Sequence, residues 1–347
     1  ATYTFLMNGQ TPDQGWTGLF NKGEKVRLRF INAAAMTLFD VRIPNVKMTV
    51  VAADGQNIEP VTIDDFRIGV AETYDVVVEP EADKAHVIIA QAIDRTGFAY
   101  GVLTPDVNMK AELPELDPSP ILTMADMGMN HDMADMQTMN MSGEMGHQMD
   151  HSMHMEMASE MGSGKAGYGS DEPIKHKQTE FGPHVDMRAE VPMYKLDDPG
   201  IGLRDHAVKY GRKVLTYSDL RNLYQTHDPR EPEREIQLHL TGNMSRYMWS
   251  IDGVKYSDAE PIILKYGERV RFTLVNDTMM NHPMHMHGMW SDLETGDGER
   301  IPRKHTVIVQ PGSKVSYLVT ADARGRWAYH CHLVFHMLSM FREVRVI

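Results

Sequence analysis

Gly325-Arg-Trp-Ala-Tyr-His-Cys-His-Leu-Val-Phe-His336 is the stretch on which the rest of the chain turns. In an extended strand successive side chains point to opposite faces. His330 and His332 therefore share one face, and Cys331 takes the other. His282-Pro-Met-His-Met-His-Gly288 repeats the arrangement, with His285 and His287 on a common face. One His-Cys-His tripeptide can thus serve two metal centres, a thiolate toward one and two imidazoles toward the other. Cys331 is covalently adjacent to His330 and His332, which gives electrons a short through-bond route. These three are the candidate catalytic residues.

A thiolate with two imidazoles and a weak axial ligand is the donor set of a blue-copper electron-transfer site. His282 and His336 are the natural partners of Cys331, and Met340 is the first axial candidate ahead of Met337. A single histidine of this kind would ordinarily be a core or surface residue satisfied by hydrogen bonds. Seven metal-binding side chains in two spaced clusters displace that reading. Zinc is the chief rival, but its paired-cysteine C-x-x-C ligands need a second cysteine, and the chain has one.

Outward from these clusters the chain reads as β. Val26-Arg-Leu-Arg-Phe30 alternates apolar with charged residues, and Met48-Thr-Val-Val-Ala-Ala53 stops at the turn pair Asp54-Gly55. Tyr74-Asp-Val-Val-Val78 and His86-Val-Ile-Ile-Ala90 follow, and Tyr3-Thr-Phe-Leu-Met7 reads as a further strand. Ile236–Leu240, Arg269–Val275 and Val315–Val319 resume the pattern. Short strands spaced by turns predict β-sandwiches or barrels. We expect a copper-free scaffold domain over 1–112, a linker over 113–232 and a copper-binding domain over 233–347. A short helix is expected near Ser218–Tyr224.

The linker carries an insert, 124–161, with 13 Met, 4 His, 7 acidic residues and no Lys or Arg. Its methionines show no 3.6-residue stripe, so helix core is not the reading. Met127, Met129, Met139, Met141, His151, Met153, His154, Met155 and Met157 look instead like spaced thioether and imidazole ligands. Soft thioethers select Cu(I), and so polar a segment is expected to be disordered without metal.

Composition sets the outer limits. The 347 residues carry 28 Met, 17 His and one Cys, with a net charge of −13. One cysteine excludes an intrachain disulfide framework, and the acidic balance argues against nucleic acid as a partner, whose phosphates need a basic face. No apolar run reaches the roughly 18–20 residues of a membrane helix. The opening residues contain no secretory leader, and a leader and upstream domain are expected to precede them.

Taken together, Ala71-Glu-Thr-Tyr-Asp-Val76, Leu238-His-Leu-Thr-Gly-Asn-Met244, Asn276-Asp-Thr-Met-Met280, the two histidine clusters and the Met-rich insert resemble the periplasmic copper-resistance multicopper oxidases over essentially the whole chain. The resemblance implies tandem cupredoxin-like Greek-key β-sandwiches, the second and third of three domains. It implies copper as cofactor, molecular oxygen reduced to water, and Cu(I) or a phenol-like reductant oxidised. His282, Cys331 and His336 would hold type 1 copper. His285 would match a type 2 ligand, and His287, His330 and His332 type 3 ligands.

Two departures follow. The family places its axial methionine five residues after the second type 1 histidine, where this chain has Phe341; Met340 falls one residue short, so either the loop is tighter or the axial thioether is absent. The family's oxygen cluster also takes half of its histidines from a first domain, so a missing domain or another chain is expected to complete it. The alternative functions are a non-enzymatic periplasmic copper-sequestering protein and a plain electron-transfer cupredoxin. The latter leaves His285, His287, His330 and His332 unexplained.

Overall fold

The computed structural model describes residues 3–123, 126, 128 and 161–347. The nine Met and His positions assigned to Cu(I) in the insert lie outside the described residues.

Residues 16–104 form one two-layered sandwich. One sheet runs, edge to edge, Trp16–Leu19, Phe98–Thr104, His86–Ala92, Phe39–Arg42 and Asp65–Ile68. The facing sheet runs Val26–Ile31, Thr73–Val78, Met48–Ala53 and Gln56–Ile63. The alternation seen in sequence is the alternation of burial: Tyr74, Val76 and Val78 are buried while their strand neighbours are half-exposed. These residues close on Val50, Ile63 and Phe66 as a hydrocarbon core. Asp54 and Gly55, at φ 48° and 75°, make the turn between Met48–Ala53 and Gln56–Ile63.

The second sandwich follows the same two-layer plan. Its larger sheet runs Met248–Ile251, Arg234–Asn243, Arg269–Asn276, Ser313–Thr320, Ser291–Leu293 and Arg303–Lys304. The facing sheet runs Ile262–Leu264, Phe341–Val346, Gly325–Cys331, His282–Met286 and Thr306–Val309. Both histidine clusters thus lie on neighbouring central strands, with Met284 opposite Cys331 and His285 opposite His330.

Residues 161–232 do more than connect. Met193–Tyr194 adds a strand beside Ser313–Thr320, Leu196 enters the second core, and Leu215 and Leu220 enter the first. The expected helix near Ser218–Tyr224 is instead a 3-10 turn at Tyr217–Asp219, and the α-helix of this segment is His206–Tyr210. Tyr3–Met7 is not a strand either. Only Met7 bridges to Gln10 across a tight turn, while Phe5 packs edge-on against Phe39.

The two sandwiches meet around a buried charge. Lys304, on the second, lies 2.9 Å from Asp54 Oδ2 and 3.1 Å from Glu72 Oε1, both on the first. The second oxygen of each carboxylate is also held: Thr73 N–H donates to Asp54 Oδ1 and Gly69 N–H to Glu72 Oε2. Removing one partner from such a buried group leaves uncompensated charge, which is far costlier than losing a surface pair.

Candidate metal centre

Cys331 ends its strand fully buried, and the short helix Val334–Met337 that follows brings His336 back toward it. Cys331 Sγ lies 3.6 Å from His282 Nδ1 and 3.8 Å from His336 Nδ1, and the two Nδ1 atoms are 3.3 Å apart. The hydrogen bonds around His282 decide its tautomer. Thr278 Oγ1 donates to Asn276 Oδ1, so it accepts from His282 Nε2–H at 2.7 Å and leaves the Nδ1 lone pair facing the thiol. The His336 ring is stacked on Trp249 at 3.9 Å between centroids. Burial pushes the Cys331 thiol up to about 12 and the His336 imidazole down to about 3. Burial, with His336 alongside, also holds His282 well below its ordinary range. Without metal the three groups are neutral.

On the other side of the same strand four imidazoles converge. Ring centroids lie 4.7 Å apart for His285 and His287, 5.3 Å for His287 and His330, 5.5 Å for His330 and His332, and 5.6 Å for His285 and His332. His285 Nδ1–H donates to the His305 carbonyl at 2.7 Å and His330 Nδ1–H to the Cys331 carbonyl at 3.0 Å. Both rings therefore turn Nε2 outward, and His330 Nε2 sits 3.1 Å from His287 Nε2. Anchoring one ring nitrogen to fix the other as donor is the usual outer support of a metal-binding histidine. Burial lowers His285 to about 4 and lowers His287 and His330 as well. His332 Nδ1 is buried without a hydrogen-bond partner among the described residues.

Met340 and Phe341 part company across the strand. Cys331 N–H donates to the Met340 carbonyl at 3.1 Å, and the next pair in register is His330 with Phe341. Directly opposed residues project to one face, so Met340 lies on the face of Cys331 and Phe341 on that of His330. Met340 is fully buried, and the Phe341 ring stacks on the His330 ring at 5.7 Å. The turn is tight because Ser339 N–H and Met340 N–H both donate to the His336 carbonyl.

Models of the multicopper oxidases match residues 2–105 and 229–345. The chain belongs to the multicopper oxidase family. It is 57% identical to Copper resistance protein A of Escherichia coli, over 99% of this chain and 59% of that protein. It is 58% identical to the Copper resistance protein A homolog of Pseudomonas syringae pv. tomato, over 100% of this chain and 58% of that one. The chain thus spans about three-fifths of the length of the curated relatives it matches. Among solved structures, the multicopper oxidase Fet3p, which functions in iron import, superposes with a TM-score of 0.57 at 16% identity, covering 96% of this chain and 57% of that one. A single-substitution mutant of the laccase from B. aclada gives 0.58 at 15%, covering 95% and 53%. At such identities the likeness is one of fold, the tandem cupredoxin-like sandwich.

Copper is the family's cofactor, and the donors fit it. The point equidistant from Sγ and the two Nδ1 atoms lies about 2.1 Å from each, an ordinary metal–imidazole distance. A trigonal thiolate–bis-imidazole set is the copper geometry described for blue sites. At the other end four imidazoles suit borderline copper, with no carboxylate among them.

Proposed function

We propose that the chain carries the reductant-oxidising copper site and half of the oxygen-reducing cluster of a copper-resistance multicopper oxidase. His282, Cys331 and His336 would hold type 1 copper, His285 type 2 copper, and His287, His330 and His332 the type 3 pair. One observation carries the reading: the end of one strand and the residue after it present Cys331 to a neutral two-imidazole pocket and its two flanking histidines to a four-imidazole pocket. Copper supplies one-electron redox chemistry in the first setting and oxygen reduction in the second. The protein's own contribution is preorganisation. Asn276 and Thr278 fix the His282 tautomer, Trp249 covers His336, and the His305 carbonyl orients His285. Met340 is the axial candidate because it shares the face of Cys331 and Phe341 does not.

Family membership supports oxidase chemistry over simple sequestration. The reductant we propose is Cu(I) or a phenol-like compound. Met279 and Phe335, both exposed, lie close in sequence to His282 and His336 and offer soft and apolar contacts. The four-imidazole pocket needs further ligands, which we assign to another part of the protein or another chain. His287 is exposed and would face them. Residues 1–112 would be the scaffold domain, 113–232 the linker and 233–347 the copper domain. A periplasmic location rests on the same family likeness; among the described residues no helix is long and apolar enough to cross a membrane.

Copper loading tests the proposal. The chain is expected to turn blue, and to stay inert in oxygen uptake with Cu(I) until the remaining histidines are supplied. A colourless copper-loaded chain would overturn the type 1 assignment. Sustained oxygen uptake by the chain alone would overturn the half-cluster.

A further inference from the structure

A second group of metal-binding side chains shares no residue with either copper pocket. His176, Glu180, His239 and Asp277 each turn one donor atom to a common point, and the four atoms all lie within 4.8 Å of one another. His176 Nδ1 is 2.7 Å from Glu180 Oε2 and 3.6 Å from Asp277 Oδ2. His239 Nδ1 is 2.7 Å from Asp277 Oδ2 and 3.4 Å from Glu180 Oε2. Glu180, His239 and Asp277 are fully buried, while the His176 side chain keeps 20% of its surface and opens a way in.

The outward-facing atoms show what the centre must contain. His176 Nε2 lies 3.3 Å from the Ala189 carbonyl, which can only accept. His239 Nε2 lies 3.2 Å from Gln237 Oε1, an oxygen already accepting from Lys175 N–H. Both Nε2 atoms are therefore N–H donors, and each neutral ring aims the lone pair of Nδ1 at a carboxylate oxygen. Lone pair against carboxylate is repulsive unless positive charge lies between. The carboxylates are anchored in the same manner: Lys177 N–H donates to Glu180 Oε1 at 3.0 Å and Ala189 N–H to Asp277 Oδ1 at 2.7 Å. Two buried carboxylates need two positive charges at the centre, either two protons or one divalent ion.

We propose that His176, Glu180, His239 and Asp277 bind one divalent first-row transition-metal ion, separate from the copper centres. All four ligands have their second polar atom held by an outer hydrogen bond, the support that metal ligands commonly show. The set is two nitrogens and two oxygens with no sulfur, so it favours Zn2+ or Cu2+ over Cu(I). His239 and Asp277 stand on or at the end of paired strands of the larger sheet, while His176 and Glu180 come from the segment laid over it. The ion would pin that segment to the sandwich.

Zinc is the probe. The full chain, stripped of metal and equilibrated in buffered Zn2+, is compared with Glu180→Gln and His176→Gln by metal counting and thermal unfolding. Each variant is expected to keep one zinc fewer per chain than wild type, and to lose most of the rise in unfolding temperature that Zn2+ gives wild type. Blue colour on copper loading reports that a variant is folded. Equal zinc counts and equal thermal responses in wild type and folded variants would overturn the site and leave two protons at its centre. Should Glu180→Gln fail to fold, His176→Gln, at the solvent edge, carries the comparison alone.

Discussion

The two sandwiches share one plan and differ in what fills them. The first closes on hydrocarbon from Val50, Ile63, Phe66, Val76 and Val78. Its one histidine, His86, lies against the Glu81 carbonyl and the Phe20 ring and belongs to no metal-binding group among the described residues. The second buries His239, His282, His330, His336 and Cys331 among its apolar residues. The same two-layer plan thus closes on hydrocarbon in one unit and carries metal-binding side chains in the other, as expected where sites are placed on a shared scaffold. Stability and redox function should separate along the same line.

The largest effect expected is on function alone. Cys331→Ser should abolish the blue absorption completely while leaving the circular dichroism of the folded chain in place; surviving blue colour would break the comparison at its centre. Next comes the contact between the sandwiches. Lys304→Ala leaves Asp54 and Glu72 buried without their cation and should destabilise the chain by about 3–5 kcal/mol in denaturant unfolding. An unchanged midpoint would mean the two units do not depend on each other.

Within the first sandwich, Ile63→Ala removes a fully buried side chain and should cost about 2–5 kcal/mol. The position of the blue band should not move. A shifted band would show that the scaffold tunes the site after all. The smallest effect concerns acid. Hydrogen bonds from Arg230 hold the Asp228 carboxyl well below its ordinary value. A depressed folded pKa means stability that is fully present above the unfolded value of about 4 and is lost as pH falls through the folded one. Asp228→Asn should flatten that acid limb slightly, and an identical acid titration of stability in the variant would exclude it.

Strands were the legible part of the fold because alternation is local: Val26–Phe30, Met48–Ala53 and Arg269–Val275 each carry their own period. The proximity of His282, Cys331 and His336 was legible for the same reason, since two tight sequence clusters fall on adjacent strands. Other features depend on partners far along the chain. Leu215 and Leu220 enter the first core from beyond residue 200, and nothing in their local pattern announces it. His176 and Glu180 meet His239 and Asp277 only because the chain folds across parallel-paired strands. A signal existed, in that His239 and Asp277 sit inside two of the signature stretches, but no spacing rule joins them to residue 176. Tyr3–Met7 has the composition of a strand and finds no strand to pair with beyond the Met7–Gln10 bridge.

The Asp54–Lys304 contact has a consequence for inheritance. A turn of one sandwich and a strand of the other share a single charge balance, so neither unit is neutral at that wall when taken alone. A histidine-bearing sandwich copied into another protein would bring Lys304 without its carboxylates, and the scaffold left behind would keep two buried acids without a cation. The piece that recombination can move intact is the pair.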